Sequence, residues 1–384
     1  MTETGAQPNV LPLAGIQVVE LSHMVMGPSA GMILADLGAQ VIKVEPPGGD
    51  KTRQLKGSGA GYFAMYNRNK RSLTADLLNE RDREMLTRLI SKADVLIENF
   101  RPGALEDKGF GYDAMAAHNP ELIYCSARGF LPGPYAHRVA LDEVVQMMGG
   151  LAYMTGPPGR PLRAGASVID IMGGMFGVIG ILAALEERRR SGRGQYLTSS
   201  LYESTAFLMG QHMAQYVETG APAAPMPERV SAWAIYDVFL TADEQKLFVG
   251  VVSDTQWRAF CDAFDFKAFA SDADLAENSN RVDRRDEIIP QVTERFLALT
   301  MEELIQKLDT CGLPYAPIAR PEDLFEDEHL VNSGGLLPVE FADGKTASLP
   351  ALPLSMSGAR LGVRRNVPKA GEHTKEIQLE LDLR

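Results

Sequence analysis

The chain has few cysteines and histidines and no stripe of basic residues. Its 384 residues include three cysteines, an odd and widely spaced set that does not suit a disulfide framework. The six histidines form no local metal-ligand pattern. The formal net charge is -12, and no basic stripe with interleaved aromatic residues is present. We therefore expect reduced thiols, no bound metal and no nucleic-acid partner.

The chain also lacks the sequence signals of export and of membrane insertion. Its first residues, M-T-E-T-G-A-Q-P, have neither a basic start nor an apolar stretch, so we expect no signal peptide and a cytoplasmic location. The longest apolar run, residues 171–185, is about fifteen residues long, shorter than the roughly twenty that a bilayer requires. This length predicts a buried helix and no membrane association.

A glycine-rich dinucleotide loop is absent as well. Residues 13–45 read as strand, helix and strand, with Pro28 at a first helical position, and this βαβ unit predicts a parallel α/β sheet. Glu45 ends the second strand where a ribose-binding acid would stand. However, the turn reads G-P-S-A-G instead of G-x-G-x-x-G, which argues against a nicotinamide-dependent enzyme.

The length of the chain predicts a large domain and a smaller one. Strands and helices alternate through residues 1–217, which we interpret as the large domain, and the Met-rich helix at 201–217 is expected in its core. The proline-dense segment A-P-A-A-P-M-P-E-R predicts a linker to a small domain at 225–320, which is expected to begin with a β-hairpin, and residues 321–384 are expected to return to the large domain. The basic residues Arg68, Lys70 and Arg71 are either a solvated face or part of a site.

Asp170 is a lone carboxylate at the start of the apolar segment. Good helix formers and three arginines follow this segment, and Gly192 and Gly194 are expected to end the helix. Each glycine inside the helix costs on the order of 1 kcal/mol relative to alanine, so another element is expected to pack closely on Gly173, Gly174, Gly177 and Gly180. Asp170 can be the N-cap of the helix, a nucleophile, or both.

Six segments, taken in chain order, carry a more specific signal. They are L-A-G-I-Q-V-V-E-L, D-L-G-A-Q-V-I-K-V-E, N-K-R-S-L, D-V-L-I-E-N-F-R-P-G, G-I-L-A-A-L-E-E-R-R-R-S-G-R-G-Q and the late G-E-H-T. In this order they resemble the class III coenzyme A transferases, the family of formyl-CoA transferase and carnitine-CoA transferase. The resemblance covers nearly the whole chain. It implies an α/β protein with a Rossmann-like parallel-sheet large domain, a smaller α+β domain, and a homodimer of interlocked rings.

The resemblance also implies a reaction. CoA would move from an acyl-CoA thioester, with succinyl-CoA as one candidate, to a free carboxylic acid, and Asp170 would be the nucleophile that forms an aspartyl anhydride and then an aspartyl-CoA. A free aspartate has a pKa of about 3.9, so we expect Asp170 to be ionised at neutral pH without an activating base. CoA enters as a co-substrate, and no tightly bound cofactor is expected.

The matching positions imply a CoA site. Arg101, Lys108 and Arg138 are candidates for the phosphates, and Phe100 could stack on adenine. Val25, Pro46 and Asp107 differ from formyl-CoA transferase, so a small oxalate-type acceptor pocket is not supported. The remaining residues of the implied CoA site are His23, Val25, Met26, Ala75, Asn99 and Asp142.

Two charged residues and two other activities stay open at this stage. Arg160 and Arg163 either bind a second carboxylate, which would suit a dicarboxylate such as succinate, or are surface charges. The α-methylacyl-CoA racemases, which share the fold, use a His-Asp pair, but Leu141 stands here in place of that histidine. A non-catalytic CoA-binding protein is the third alternative, and it would not need Asp170.

Overall fold

The computed structural model describes residues 11–229, 231–356 and 359–382, and the segment expected to lack an export signal lies outside them. The chain forms two compact units. The larger comprises residues 1–227 and 328–384, and the smaller comprises residues 228–327. The sequence placed the small domain at 225–320, whereas the smaller unit also includes the acidic segment up to Asp327.

A parallel sheet of six strands forms the centre of the larger unit, in the order β3-β2-β1-β4-β5-β6. This confirms the predicted α/β class. The strand order reverses between β1 and β4, so the chain leaves their carboxyl ends in opposite directions and opens a crevice there. The strands are β1 (Gln17–Leu21), β2 (Gln40–Glu45), β3 (Lys70–Thr74), β4 (Val95–Glu98), β5 (Ile123–Arg128) and β6 (Tyr196–Ser200).

Helices cover both faces of this sheet. Alternate side chains of β1 point to opposite faces, so that Val18 packs with Leu34 and Ile181 in one apolar cluster and Val19 packs with Leu86 and Ile90 in another. The helices are α1 (Met26–Asp36), α2 (Tyr62–Tyr66), α3 (Glu80–Ile90), α4 (Tyr112–His118), α5 (Asp142–Met148), α6 (Leu151–Thr155), α7 (Val168–Ser191) and α8 (Leu201–Thr219).

The smaller unit pairs three antiparallel strands with five helices among its described residues. The predicted hairpin is present as β7 (Tyr236–Leu240) and β8 (Lys246–Gly250), and β9 (Tyr315–Pro317) pairs with β8. Trp257, Phe260, Phe264, Phe266 and Phe296 lie in its apolar core. Its helices are α9 (Asp254–Ala263), α10 (Lys267–Ser271), α11 (Asn278–Asp283), α12 (Arg285–Leu297) and α13 (Met301–Cys311).

The last segment returns to the sheet of the larger unit. His373 Nδ1 accepts a hydrogen bond from the Ser72 amide at 3.2 Å, and Thr374 Oγ1 accepts one from the Thr74 amide at 3.1 Å. Two hydrogen bonds therefore connect the G-E-H-T motif to β3, the strand that contains Ser72 and Thr74. This segment contains α14 (Glu328–Asn332), β10 (Leu336–Glu340), β11 (Thr346–Pro350), β12 (Ser355–Met356), β13 (Ala359–Arg360) and α15 (Thr374–Asp382). Short 3₁₀ turns occur along the chain at Lys51–Gln54, Gly57–Gly59, Glu106–Lys108, Met226–Glu228, Ala273–Ala276 and Pro321–Phe325.

Helix α7 packs closely on α1, as its glycines predict. A Cβ at Gly174 would lie 2.7 Å from the Met26 carbonyl oxygen, a distance that real Cβ atoms do not show. The helix ends at Gly192, whose φ is 66°. With 24 residues, α7 is long and apolar enough to cross a membrane by length and composition, so the predicted length was too short. Its burial against the sheet, through Val178 and Ile181, supports a core helix.

Two expectations about side-chain exposure are wrong. Helix α8 is not a core helix along its whole length, because Phe207, Met213 and Val217 are exposed. The alternative of a solvated basic face is also wrong, because Arg68 and Lys70 are fully buried. Lone charges at such depth would be costly, and the guanidinium of Arg68 is paired with Asp36.

Candidate active site

Two adjoining cavities open at the carboxyl edge of the sheet, in the crevice that the strand order creates. The Asp170 cavity has a volume of about 280 Å³. The second, which we call the apolar cavity, measures about 490 Å³. His23, Met24 and Phe100 line both cavities. The walls of the apolar cavity combine charged residues, among them Glu45, Asp50, Lys51 and Asp76, with a group of aliphatic side chains: Leu21, Val44, Pro46, Pro47, Leu55, Ala75 and Leu77.

The wall shared by the cavities comes from the loops after β1 and β4. Leu21 and Glu98 are paired in the sheet, so these loops leave it side by side. The His23 amide donates to Asn99 Oδ1 at 3.0 Å, and the Asn99 side-chain amide donates back to the His23 carbonyl at 2.8 Å. The rings of His23 and Phe100 lie 5.7 Å apart. Burial lowers the pKa of His23, which favours the neutral imidazole.

A buried ionic cluster, formed by Glu20, Lys43, Asp50 and Lys70, supports the β1–α1 loop from below. Lys43 Nζ binds the Ser22 carbonyl at 2.7 Å, Glu20 Oε1 at 3.3 Å and Asp50 Oδ2 at 3.1 Å. Lys70 Nζ binds the other Glu20 oxygen at 2.7 Å and the Pro28 carbonyl at 2.9 Å. The two ammonium groups thus hold both ends of the segment that carries His23 and Met24.

Asp170 is not the N-cap of α7, because it is the third residue of the helix. Asp142 performs the capping from α5: its Oδ2 accepts the Ile169 amide at 2.9 Å and the Asp170 amide at 3.1 Å. The Gln146 side-chain amide donates to the other oxygen of Asp142 at 2.5 Å. The amides of Ile169 and Asp170 are therefore engaged, and the side chain of Asp170 is left to face the cavity.

The electrostatic setting of Asp170 corrects the expectation of an ordinary acid. Its pKa is raised to about 7, first because the side chain is buried and second because the Asp142 carboxylate lies nearby, while the positive charge of Arg163 works in the opposite direction. No hydrogen bond or ion pair from the described residues reaches its carboxylate. Near neutral pH, the protonated acid and the anion of Asp170 therefore coexist. The anion that exists is poorly solvated, which favours its reaction with an electrophile.

Sequence reasoning missed several groups beside Asp170. Tyr62 lines the cavity, and its hydroxyl lies 3.2 Å from Ser167 Oγ. Burial and the charge of Asp170 raise the pKa of Tyr66 to about 12, so its hydroxyl remains protonated. Arg128 also lines the cavity and is paired with Glu98 at 2.9 Å. The two tyrosines are four residues apart, which places them on one side of α2, and this spacing was the one available signal.

The structure brings most of the implied CoA residues together, but two lie elsewhere. Val25 is fully buried and is absent from the lining of both cavities. Lys108 lies in a separate surface groove with Glu80 and Arg83. Ala75 lines the apolar cavity. The Asp170 cavity is lined by His23, Met26, Asn99, Phe100, Arg101, Arg138 and Asp142.

Asp170 thus lines a cavity at the crevice of the parallel sheet, and a second, apolar cavity adjoins it. The model of the family described as CoA-transferase family III matches residues 13–374, and the chain belongs to that family. The chain is 35% identical over 384 residues to the succinate–glutarate CoA-transferase of Agrobacterium fabrum, covering 97% of this chain and 96% of that protein. It is 34% identical to the acetyl-CoA:oxalate CoA-transferase of Acetobacter aceti, covering 93% and 92%.

A solved structure has the same fold. The crystal structure of a CAIB/BAIF family protein from Brucella suis matches with a TM-score of 0.84 and 35% identity, covering 97% of this chain and 99% of that one. Together with the family, these relatives identify the chain as a CoA-transferase that uses CoA thioesters as co-substrates. They do not favour a racemase, and Leu141 provides no imidazole at the cavity. Because these relatives are named as CoA-transferases, a non-catalytic CoA-binding protein is not favoured either.

Proposed function

We propose that the protein moves CoA from an acyl-CoA, with succinyl-CoA as a donor, to a free carboxylic acid through covalent intermediates on Asp170. The Asp170 carboxylate attacks the thioester carbonyl, which forms a mixed anhydride and releases CoA thiolate. The thiolate attacks the aspartyl carbonyl of the anhydride, which forms aspartyl-CoA and releases the donor acid. The acceptor carboxylate attacks the aspartyl carbonyl of aspartyl-CoA, which forms a second mixed anhydride and releases CoA thiolate. The thiolate attacks the acceptor carbonyl of this anhydride, which forms the CoA thioester of the acceptor and restores the Asp170 carboxylate.

The single observation that carries this proposal is the position of Asp170. Its carboxylate faces a cavity, has no counter-ion in contact among the described residues, and lies beside a second cavity that shares His23, Met24 and Phe100 with the first. In this proposal the apolar cavity holds the adenosine end of CoA, with Phe100 and Ala75 in its wall, and Arg101 and Arg138 lie near the phosphates. CoA stays bound throughout, which makes each attack effectively intramolecular.

We further propose that the protein is a homodimer, as an interlocked pair of rings would require, and that it acts in the cytoplasm. The exposed apolar side chains of α7 and α8 support association with a second copy of this chain. Ile179 is 58% exposed, Phe207 is 72% exposed and Val217 is 79% exposed. A surface that exposes several large apolar side chains on two neighbouring helices favours association. Sedimentation of the purified protein tests the dimer.

The covalent step is tested by trapping. Hydroxylamine added during turnover of succinyl-CoA should convert Asp170 to a hydroxamate, which mass spectrometry of the peptide containing it detects. Without acyl-CoA no label should form. The Asp170→Ala variant should bind CoA and transfer none of it to a free acid. An unlabelled Asp170 during full turnover, or an active Asp170→Ala variant, would refute the mechanism.

A further inference from the structure

The Asp170 cavity holds more positive charge than a thioester and a thiol need. Four arginines line it, and three of them have another task or location. Arg128 pairs with Glu98 and donates to the Phe100 carbonyl. Arg138 stacks on the ring of Tyr135, 4.9 Å from its centre, and is exposed. Arg101 is exposed as well, which suits a phosphate that reaches into solvent.

Arg163 differs from these three in its position and in its free donors. Its side chain is 31% exposed, and its charge acts on Asp170. Its Nε donates to the Ala164 carbonyl at 3.0 Å, which fixes the guanidinium plane. Its terminal nitrogens lie 3.5 Å from Asp142 and 3.9 Å from Glu143, and neither makes a hydrogen bond to the described residues. Both nitrogens thus form only long ion pairs without hydrogen bonds, and a substrate carboxylate can approach them in the bidentate fashion that a guanidinium favours.

We propose that Arg163 binds the distal carboxylate of a dicarboxylic substrate while the other end of that substrate reacts at Asp170. This inference rests on the proposed transferase function. The donor acyl group and the acceptor acid occupy the same place in turn, so one arginine serves both halves of the reaction. The substrates are then a dicarboxylic acid and the mono-CoA thioester of another one.

Glu143 fits this assignment as a group that the substrate displaces. Its side chain is 60% exposed, and an exposed ion pair at 3.9 Å contributes little to stability. A substrate carboxylate can therefore take its place beside Arg163 at low cost. Arg160, the other arginine that the sequence offered for this role, is exposed and does not line the cavity. It is the matched control.

The experiment compares two acceptors of equal length, glutarate and pentanoate, with succinyl-CoA as the donor at pH 9, which favours the ionised form of Asp170. We expect the wild-type protein to prefer glutarate, in kcat/KM, by at least about 100-fold. Arg163→Met should raise the KM of glutarate, so that the kcat/KM values of glutarate and pentanoate differ by only a few-fold. The control is the exchange of labelled acetate into acetyl-CoA, because neither substrate has a distal carboxylate. In Arg163→Met the rate of this exchange should change less than about three-fold, which would show that Asp170 still reacts.

Three further variants complete the test. Arg163→Lys keeps the charge but not the paired donors, so it should retain only part of the preference. Arg160→Met should leave the preference unchanged. Glu143→Gln should lower the KM of glutarate a few-fold and leave that of pentanoate unchanged.

The outcomes separate the two proposals. A wild-type protein that transfers CoA to no acid would refute the proposed function. A working transferase whose glutarate preference survives in Arg163→Met, or whose acetate exchange falls as much as its glutarate activity, would refute only the role of Arg163.

Discussion

Two carboxylates in the larger unit, Glu20 and Asp170, have opposite surroundings. Glu20 is fully buried, and each of its oxygens contacts a lysine, with Lys43 on one side and Lys70 on the other. Asp170 is partly buried, and no cation contacts its carboxylate among the described residues. The paired carboxylate stabilises the loop that carries His23, whereas the unpaired one remains available for the nucleophilic attack proposed above. Burial therefore has opposite consequences, depending on whether a counter-ion is in contact.

The largest effect is expected where the unpaired carboxylate is lost. Asp170→Asn should reduce CoA transfer by roughly 10⁴-fold, because an amide cannot form the anhydride. Chromatography of the acyl-CoA products measures this loss. CoA binding by calorimetry serves as the control and should change little. Residual transfer above about one percent would show that Asp170 does not form the covalent bond.

Breaking the paired site should cost stability instead. Lys70→Met leaves one Glu20 oxygen buried without its cation, and such a change lowers the free energy of unfolding by about 3–5 kcal/mol. Urea unfolding at pH 7 measures the difference. Lys51→Met, at an exposed lysine of the same unit, should change it by less than about 0.5 kcal/mol. Equal effects of the two substitutions would contradict the importance of the cluster.

The stability of the Asp170 site should depend on pH with a defined sign. The pKa of Asp170 is about 7 in the folded protein against an ordinary 3.8, so folding favours the protonated acid. This contribution is fully present below about pH 4 and is lost as the pH rises through 7. Asp170→Asn avoids the loss and should be more stable than the wild type above pH 7, by at most about 4 kcal/mol.

The measurement is urea unfolding of both proteins at several pH values. The difference should grow between pH 4 and 7 and stay constant above that. A difference independent of pH would mean that Asp170 does not titrate as the structure indicates.

A smaller effect is expected from the neighbour that raises the pKa of Asp170. Wild-type activity should fall as the pH drops through about 7, because the nucleophile becomes protonated. Asp142→Asn keeps an oxygen that can accept the amides of Ile169 and Asp170 but removes the like charge, so the acidic limb of the kcat/KM profile should move to lower pH. Glu143→Gln, which removes a more exposed charge, should move it less. An unmoved profile in Asp142→Asn would leave burial as the only cause.

The pattern of the chain was sufficient for much of the fold. Alternating strands and helices predicted the parallel sheet, and the hairpin after the proline-dense segment is present. The glycines of α7 correctly indicated a close neighbour. The length of α7 and the exposure of α8 could not be predicted in this way, because an apolar pattern does not distinguish a face that packs on the sheet from one that remains exposed.

The candidate site was predictable in its identity but not in its electrostatics. The order of the motifs gave the family resemblance, and the resemblance pointed to Asp170 and to the loops that carry His23 and Asn99. Nothing in the local sequence indicated that Asp142, 28 residues earlier, would cap α7 and repel the carboxylate of Asp170. The same holds for Arg163, whose access to the cavity distinguishes it from Arg160.

The sequence by itself determined the alternation of strands and helices and the parallel sheet, because these follow from local periodicity, and its family resemblance pointed to the residue at which the chemistry is proposed. Only the tertiary structure decided which charges are paired and which are not. That distinction depends on distances of 3–4 Å between residues far apart in the chain. It pairs Lys70 with Glu20, raises the pKa of the unpaired Asp170 to about 7, and leaves Arg163 with only long ion pairs, of 3.5 Å to Asp142 and 3.9 Å to Glu143.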